Sequence, residues 1–321
     1  MGSQIQVAFA NAKIIKIYDP QGVLGLATTV DGNLKATVKG EIGNRTAFVQ
    51  LKNQEFTYWY PLCFEITKRD QKEESLNLTD AKWKRQKFET IDLTTFFNDQ
   101  VGQIFKNKYL SPRPNTTTLQ LPSQGIGDWT NTKLHPEITD TGLRQLAGTK
   151  NEFTLPSGIV FSTPSTPPLK NIIYTSQWDN YPAQVGIPIS GKANAAFFLV
   201  AGSTNPMQSR MDNGEIVVYY TDGSVEKLSL RNPENWWPIE QDLYMDGFAF
   251  DTGADRPVRV HLKTGKVIPA ADVSWNGKEI EGGAAIVLGT KLDPAKTLFK
   301  ITISALCNDV VVGLMAVTLS R

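Results

Sequence analysis

The hydrophobic positions of this chain recur mostly with a period of two, which is typical of β-strands that bury one face. Residues 185–189 alternate in this way, and residues 195–201 form a continuous apolar run of strand length. Residues 216–220 and 225–230 alternate on either side of Asp222-Gly223. Asp-Gly between two such runs predicts a β-hairpin, because the turn residues must tolerate positive φ.

This pattern predicts an all-β chain with two domains joined by a charged segment. Residues 4–67 carry about six short strand patterns separated by turns, which predicts a small immunoglobulin-like sandwich. Residues 68–87 are charged and nearly devoid of β-branched side chains, so we expect a linker or a solvated helix there. From residue 88 the strand patterns continue, and we expect residues 88–321 to form one larger jelly-roll sandwich whose first and last strands lie in the same body.

Two finer predictions concern the second domain. Strand patterns cover residues 298–306 and 310–319 and are separated by only three residues, so we expect them to form a hairpin. Long amphipathic helices are scarce in the sequence, and residues 139–146 predict one short helix.

The composition excludes some classes of partner. The chain has 321 residues with 33 basic and 32 acidic side chains, and the resulting charge of +1 creates no field that favours nucleic acid or an anionic membrane. No run approaches the roughly 20 apolar residues that span a bilayer. The two cysteines, Cys63 and Cys307, lie in apolar segments, which predicts small buried side chains rather than a disulfide.

The sequence contains no common catalytic motif, since GxSxG, HExxH, the P-loop and GxGxxG are all missing. His261 alternates with valines and is expected to be structural, while His135 lies in a loop. A glycosidase needs two carboxylates across the scissile bond, one of them with a raised pKa. Eight carboxylates occupy loop-like or strand-end positions but select no pair, so we assign no catalytic residue: Asp128, Glu137, Asp140, Asp179, Asp212, Glu234, Glu240 and Asp242.

Loops rich in aromatic and amide side chains are the candidate ligand sites. Sugar rings present C–H faces that pack on aromatic rings, while amides, carboxylates and guanidinium groups bond their hydroxyls. Tandem tryptophans before Pro238 also fit an internal plug of the sandwich. The candidate ligand residues are Trp129, Trp178, Asp179, Asn180, Tyr181, Asn205, Gln208, Arg210, Trp236 and Trp237.

A structural calcium ion is the one cofactor that the sequence leaves open. Oxygen-rich turns at residues 92–99 and 251–255 contain the carboxylates that calcium prefers. Their spacing matches no EF-hand loop, so the metal ligands are not assigned.

Several long motifs carry a family resemblance. Six of them together resemble the C-terminal region of large secreted Bacteroidetes proteins that are expected to degrade glycans in polysaccharide utilisation. These six are IKIYDPQGVL, YWYPLCFEI, TLQLPSQGIGDW, IIYTSQWDNYP, AGSTNPMQSRMDNGEIVVYYTDG and NPENWWPIEQD. The resemblance covers nearly the whole chain. The order of PSGIVF, VGIPI, AAFFLVAG and VYYTDG is also similar to galactose-binding-like jelly rolls appended to glycoside hydrolases.

The resemblance implies a location and a context. It implies a periplasmic or cell-surface protein with a catalytic (α/α) toroid upstream of this β-rich region. Residues 1–3 lack the features of a secretion signal and are typical of a cloning remnant, so we expect the natural protein to extend upstream of Gln4.

Three functional hypotheses follow. The first is a non-catalytic accessory region that packs on the toroid and binds carbohydrate. The second is a free-standing glycoside hydrolase that uses loop carboxylates, and the third is a purely structural module without a ligand.

Overall fold

The computed structural model describes residues 4–39, 43–66, 76–107, 136–177, 180–204, 211–232, 234–241, 257–268, 279–308 and 310–321. Within these residues the chain is mostly strand, with one short α-helix and several antiparallel sheets, which confirms the all-β prediction. The chain divides into two compact units, Met1–Glu74 and Ser75–Arg321. None of the described helices is long and apolar enough to cross a membrane.

The first unit is built from two three-stranded antiparallel sheets, ordered β1-β4-β3 and β2-β5-β6. Buried side chains from both sheets, among them Leu34, Ala36, Val49 and Leu51, form one core. Two sheets over a shared core make a β-sandwich, while the immunoglobulin-like assignment stays a prediction. The strands are β1 (Gln4–Val7), β2 (Lys13–Tyr18), β3 (Leu24–Val30), β4 (Asn33–Val38), β5 (Gly43–Lys52) and β6 (Thr57–Ile66).

The second unit contains the remaining strands and the α-helix. Among its described residues the unit has one α-helix, α1 (Thr141–Ala147), which confirms the short helix predicted at residues 139–146. The strands are β7 (Phe88–Ile91), β8 (Glu152–Thr154), β9 (Val160–Ser162), β10 (Ile173–Ser176), β11 (Gln184–Pro188), β12 (Ala195–Ser203), β13 (Asp212–Tyr220), β14 (Val225–Arg231), β15 (Val258–His261), β16 (Val267–Ile268), β17 (Ala284–Lys291), β18 (Leu298–Ala305) and β19 (Val311–Ser320).

A large sheet and a four-stranded sheet enclose the main core of the second unit. The large sheet is ordered β10-β19-β12-β17-β15-β16, and β7 also pairs with β19; the smaller sheet is ordered β11-β18-β13-β14. Side chains such as Phe198, Val200, Ile216 and Ile303 fill the space between them. The pairing of β7 with β19 confirms that the first and last strands of this unit share one body.

The large sheet is covered on both faces, which explains why its central strands are apolar throughout. Phe198 and Val200 of β12 belong to the core between the sheets, whereas Phe197 and Leu199 pack into a second cluster on the opposite face. Every residue of β12 and of β19 is buried as a result. A strand that is buried on both sides loses the polar alternation of a half-exposed strand.

One predicted hairpin is confirmed and one is wrong. β13 and β14 pair antiparallel around the Asp222-Gly223 turn, as the sequence predicts. β18 and β19 do not pair with each other, because β18 lies between β11 and β13 while β19 lies between β12 and the strands β10 and β7. Both edges of each strand are therefore occupied, and the short connection crosses from one sheet to the other.

The boundary between the two units falls within residues 68–87, the predicted linker or solvated helix, and the second half of this segment packs on the second unit. Trp83 is buried and packs edge-to-face on Phe197, with ring centroids 4.9 Å apart, and its indole N–H donates to the carbonyl of Asn77 at 2.8 Å. Leu76 and Leu78 pack on the same cluster. Leu76, Leu78 and Trp83 thus attach this segment to the second unit.

The cysteine prediction is correct about the disulfide and wrong about burial. Both cysteines are free, but Cys63 is exposed and Cys307 is half-buried. Cys63 is exposed because it lies opposite Thr46 on the outer side of β6, in the register where alternate residues face away from the core.

Candidate functional site

The predicted ligand loops leave one end of the second unit. Ser176 at the end of β10 and Ser203 at the end of β12 both pair with Val311 of β19. The segments that follow residues 176 and 203 therefore begin two strand spacings apart, roughly 10 Å. Six of the ten predicted ligand residues lie outside the described residues: Trp129, Trp178, Asp179, Asn205, Gln208 and Arg210.

Of the loop candidates that the structure describes, Tyr181 is held by its hydroxyl group. That hydroxyl donates to Asp99 Oδ2 at 2.6 Å and accepts from Asn107 Nδ2 at 2.5 Å, while the ring lies 5.2 Å from that of Tyr174. Asn180 beside it is half-buried. Tyr181 thus anchors its loop to the body of the sandwich, which is a structural role.

The tandem tryptophans are internal, so their prediction as ligand residues is wrong. Trp236 has 0% and Trp237 2% of its surface exposed, and both belong to the core between the two sheets. Trp236 lies so close to Gly202 that a Cβ there would come within 2.9 Å of the indole ring. The tryptophans close the core where β14 ends, as the plug interpretation expected.

Two of the described candidate carboxylates, Asp140 and Asp212, are committed to structural contacts. Asp140 accepts hydrogen bonds from Arg144 and Asn171, at 2.9 and 2.6 Å. Burial tends to raise the pKa of Asp212, but hydrogen bonds from Arg231 and Ser229 outweigh it and hold that pKa below its usual value. Among the other candidates, Asp128, Asp179 and Asp242 lie outside the described residues.

Glu240 is the carboxylate with the most unusual environment. Only 1% of its surface is exposed, and burial raises its pKa to about 8, although its own backbone amide and the charge of Arg259 act in the opposite direction. Because the side chain is enclosed by protein, we do not assign it to substrate.

The oxygen-rich turn at residues 92–99 uses its carboxylates within the protein. Asp92 accepts from the backbone and the hydroxyl of Thr94, and Asp99 accepts from Gln100, Asn107 and Tyr181. No group of three or more possible metal ligands occurs within the part of the chain that the structure describes. The turn at residues 251–255 lies outside that part.

A shallow depression of about 620 Å³ lies beside α1. Its one charged lining residue, Arg144, is already occupied, since the guanidinium donates to Asp140 and to the carbonyls of Pro164, Thr166 and Leu169. The arginine ties the helix to the neighbouring loop, and the depression offers little chemistry to a ligand.

The first unit has an aromatic surface that was not predicted from the sequence. Strand register places Tyr18 of β2 opposite Phe48 of β5, and Phe48 opposite Pro61 of β6, all on the face turned away from the core. Trp59 lies on the same face, opposite Gln50. We call Tyr18, Phe48, Trp59 and Pro61 the aromatic face.

The rings of the aromatic face lie close together; Tyr18 and Trp59 are open to solvent, and Phe48 is half-buried. The centroid of Tyr18 is 6.2 Å from that of Phe48 and 6.3 Å from that of Trp59. Tyr18 is 57% and Trp59 45% exposed. Single exposed apolar residues are ordinary, but a contiguous exposed patch with polar neighbours is typical of an interaction site.

A second aromatic position, on the four-stranded sheet of the second unit, combines the half-buried Tyr219 with the exposed Phe299 and differs in one respect. The ammonium group of Lys300 lies over the ring of Tyr219 at 4.7 Å and near that of Phe299 at 5.8 Å. A lysine therefore occupies the ring face that a ligand would need, which makes this position a suitable control.

Comparison with known proteins adds no assignment. The chain matches no family model, and no curated protein shows significant similarity to it. The aromatic face and the contacts of the described residues are therefore the features from which a function is inferred.

Proposed function

We propose that this chain is a non-catalytic accessory region of a glycan-degrading protein and that it binds polysaccharide through the aromatic face of its first unit. The observation that carries the proposal is the cluster of the exposed rings of Tyr18 and Trp59 with the half-buried ring of Phe48 on the outer side of one sheet. This moves the binding surface from the predicted loops of the second unit to the sheet β2-β5-β6.

The chemistry of the face suits a sugar polymer. The C–H face of a pyranose ring packs on an aromatic ring, and three neighbouring rings provide such contacts to more than one sugar. The amide of Gln50, between Trp59 and Lys16 in the register, carries both a donor and an acceptor for hydroxyl groups. The row from Tyr18 to Pro61 crosses two strand spacings, roughly 10 Å, and forms an open surface rather than a pocket.

The aromatic face contributes little to the core of its own unit. The core side chains of the same strands, such as Val49 and Leu51, point to the opposite side of the sheet. Removing an exposed ring should therefore reduce binding without large loss of stability, which separates a ligand site from a structural one.

The proposal bears on the other hypotheses and on the expected location of the protein. The hypothesis of a free-standing hydrolase is less well supported, because Asp140 and Asp212 form ion pairs with Arg144 and Arg231 that stabilise the fold. We also propose an upstream catalytic toroid and a periplasmic or cell-surface location, because the family resemblance implies both. A surface that binds intact polysaccharide has its use where that polymer is present, outside the cytoplasm.

Affinity electrophoresis of the full chain through gels that contain soluble polysaccharides tests the proposal. Trp59→Ala and Tyr18→Ala should weaken binding by about 5- to 150-fold, if each ring is worth the roughly 1–3 kcal/mol measured for aromatic stacking on nucleic-acid bases. Tyr219→Ala is the matched control and should bind like the wild type.

Two outcomes would contradict the proposal. One is that no polysaccharide retards the wild-type protein in a broad panel. The other is that Trp59→Ala and Tyr18→Ala are retarded as strongly as the wild type while their melting temperatures are unchanged.

A further inference from the structure

Three lysines lie beside the aromatic face. Lys13 is directly opposite Lys52, and Lys16 is opposite Gln50, so all three belong to the same outer face as Trp59. All three are exposed. We call them the lysine cluster.

The lysine cluster forms no ion pair within the described residues. Several basic residues of the second unit pair with carboxylates, for example Lys227 with Glu215 at 2.8 Å and Arg321 with Glu89 at 2.6 Å. Within the described part of the chain, none of Lys13, Lys16 and Lys52 forms such a pair.

The arrangement of these lysines opposes folding. Like charges that face each other directly across two strands are destabilising. Lys13 and Lys52 form such a pair, and Lys16 lies about two residues further along the sheet, roughly 7 Å away. An anionic group bound over this end of the face would relieve the repulsion.

We infer that the ligand of the aromatic face is an anionic polysaccharide that carries uronate carboxylates. This inference rests on the proposed function and adds the charge of the ligand to it. The rings would pack on sugar faces, and the lysine cluster would bind the carboxylates of sugars further along the same chain. Charge complementarity is the argument: unpaired cations lie next to exposed rings on one surface.

The observations favour a polysaccharide over a single-stranded nucleic acid. Proteins that bind single strands combine stacking with a positively charged groove that follows a phosphate at every nucleotide. This chain has a net charge of only +1, and the cationic group here is confined to one end of an open face. A nucleic acid is therefore the competing outcome of the test.

The test uses the full chain and two polymers that differ only in charge. Polygalacturonate is the anionic probe, and the same polymer with its carboxyl groups reduced to alcohols is the neutral match. Binding is measured by titration calorimetry at about 50 and 500 mM salt, with oligodeoxythymidylate as a third ligand. The variant is Lys13→Gln/Lys16→Gln/Lys52→Gln, and the control is Lys35→Gln, an exposed lysine on the other sheet.

We expect polygalacturonate to bind more tightly than its reduced form, and we expect high salt to remove most of that difference. Exposed ion pairs are worth about 1.4- to 5-fold each, so the triple variant should lose about tenfold in affinity for polygalacturonate and none for the reduced polymer. Lys35→Gln should change neither affinity.

The results separate this inference from the proposed function. If both polymers bind equally and salt has no effect, the inference is wrong while the proposed function stands. If oligodeoxythymidylate binds more tightly than polygalacturonate, the inference is also wrong. If neither polymer binds, the inference is wrong, and the proposed function fails with it only if no other polysaccharide of the electrophoresis panel retards the wild-type protein.

Discussion

Replacement of Glu240 by glutamine should make the second unit less sensitive to pH. The buried carboxyl group has a pKa raised from 4.5 to about 8 by burial, with a further contribution from the charge of Glu279. The guanidinium of Arg259 opposes this rise, but it also donates to the carbonyls of Pro238, Gln241 and Ala284. Glutamine has nearly the shape of the protonated side chain and does not ionise.

The sign and size of the effect follow from the two pKa values. In the unfolded chain Glu240 ionises above about pH 4.5, whereas in the folded protein it keeps its proton up to about pH 8. The folded state therefore binds more protons between these values, and stability falls as the pH rises through that window. At about 1.36 kcal/mol per pKa unit, the difference between these two pKa values corresponds to a loss of about 5 kcal/mol in the free energy of unfolding.

Urea unfolding of the wild type, Glu240→Gln and the exposed control Glu137→Gln at pH 5 and pH 8 measures this contribution. The transition of the second unit should be followed separately from that of the first, because each unit has its own core. Relative to the wild type, Glu240→Gln should gain several kcal/mol at pH 8 compared with pH 5, and Glu137→Gln should gain nothing. A Glu240→Gln variant destabilised by about 3–5 kcal/mol at pH 8 would refute the reasoning, since that result indicates an ionised carboxylate paired with Arg259.

Three further predictions test the structural roles of other side chains. Trp236→Ala should cost about 3–5 kcal/mol of unfolding free energy in urea titrations, whereas Trp59→Ala should cost less than about 1 kcal/mol; equal losses would contradict their assignment to core and surface. Trp83→Ala should destabilise the second unit by about 3–5 kcal/mol in the same assay, and an unchanged midpoint would restore the linker interpretation. Asp99→Ala removes the acceptor of the Tyr181 hydroxyl and should cost about 1–3 kcal/mol; calorimetry that shows no change in melting temperature would count against the anchor.

The strands of this protein could be predicted from its sequence because their signal is local. Alternation over residues 216–230 and the Asp-Gly turn identify both strands of a hairpin and their pairing. The connection after β18 carries no comparable signal, since three residues can join two paired strands or cross between two sheets. Which of these occurs depends on the partners of β18 and β19, which come from distant parts of the chain.

The candidate site could not be predicted because it is assembled from three strands. The segment TYWYPLCFEI is recognisable as a strand, but aromatic residues occupy both of its faces. Only the register with β5 shows that Tyr58 and Tyr60 lie opposite core residues while Trp59 faces outward. Tyr18 and Phe48 lie about 41 and 11 residues before Trp59 in the sequence. The period of a single strand shows which of its residues share a face, but it does not predict which other strands lie beside it. In contrast, Trp236 and Trp237 resembled a ligand loop in sequence and are part of the core.

The most direct test of polysaccharide binding by the aromatic face is an NMR titration of the full chain labelled with ¹⁵N at its seven tryptophan indoles. The signals of Trp59, Trp129, Trp178 and Trp236 are assigned with single Trp→Phe variants at these four positions. Addition of soluble oligogalacturonate should shift the indole N–H signal of Trp59 and leave that of Trp236 in place. A titration in which Trp59 stays fixed while the signals of Trp129 or Trp178 move would contradict the account and return the binding site to the loops of the second unit.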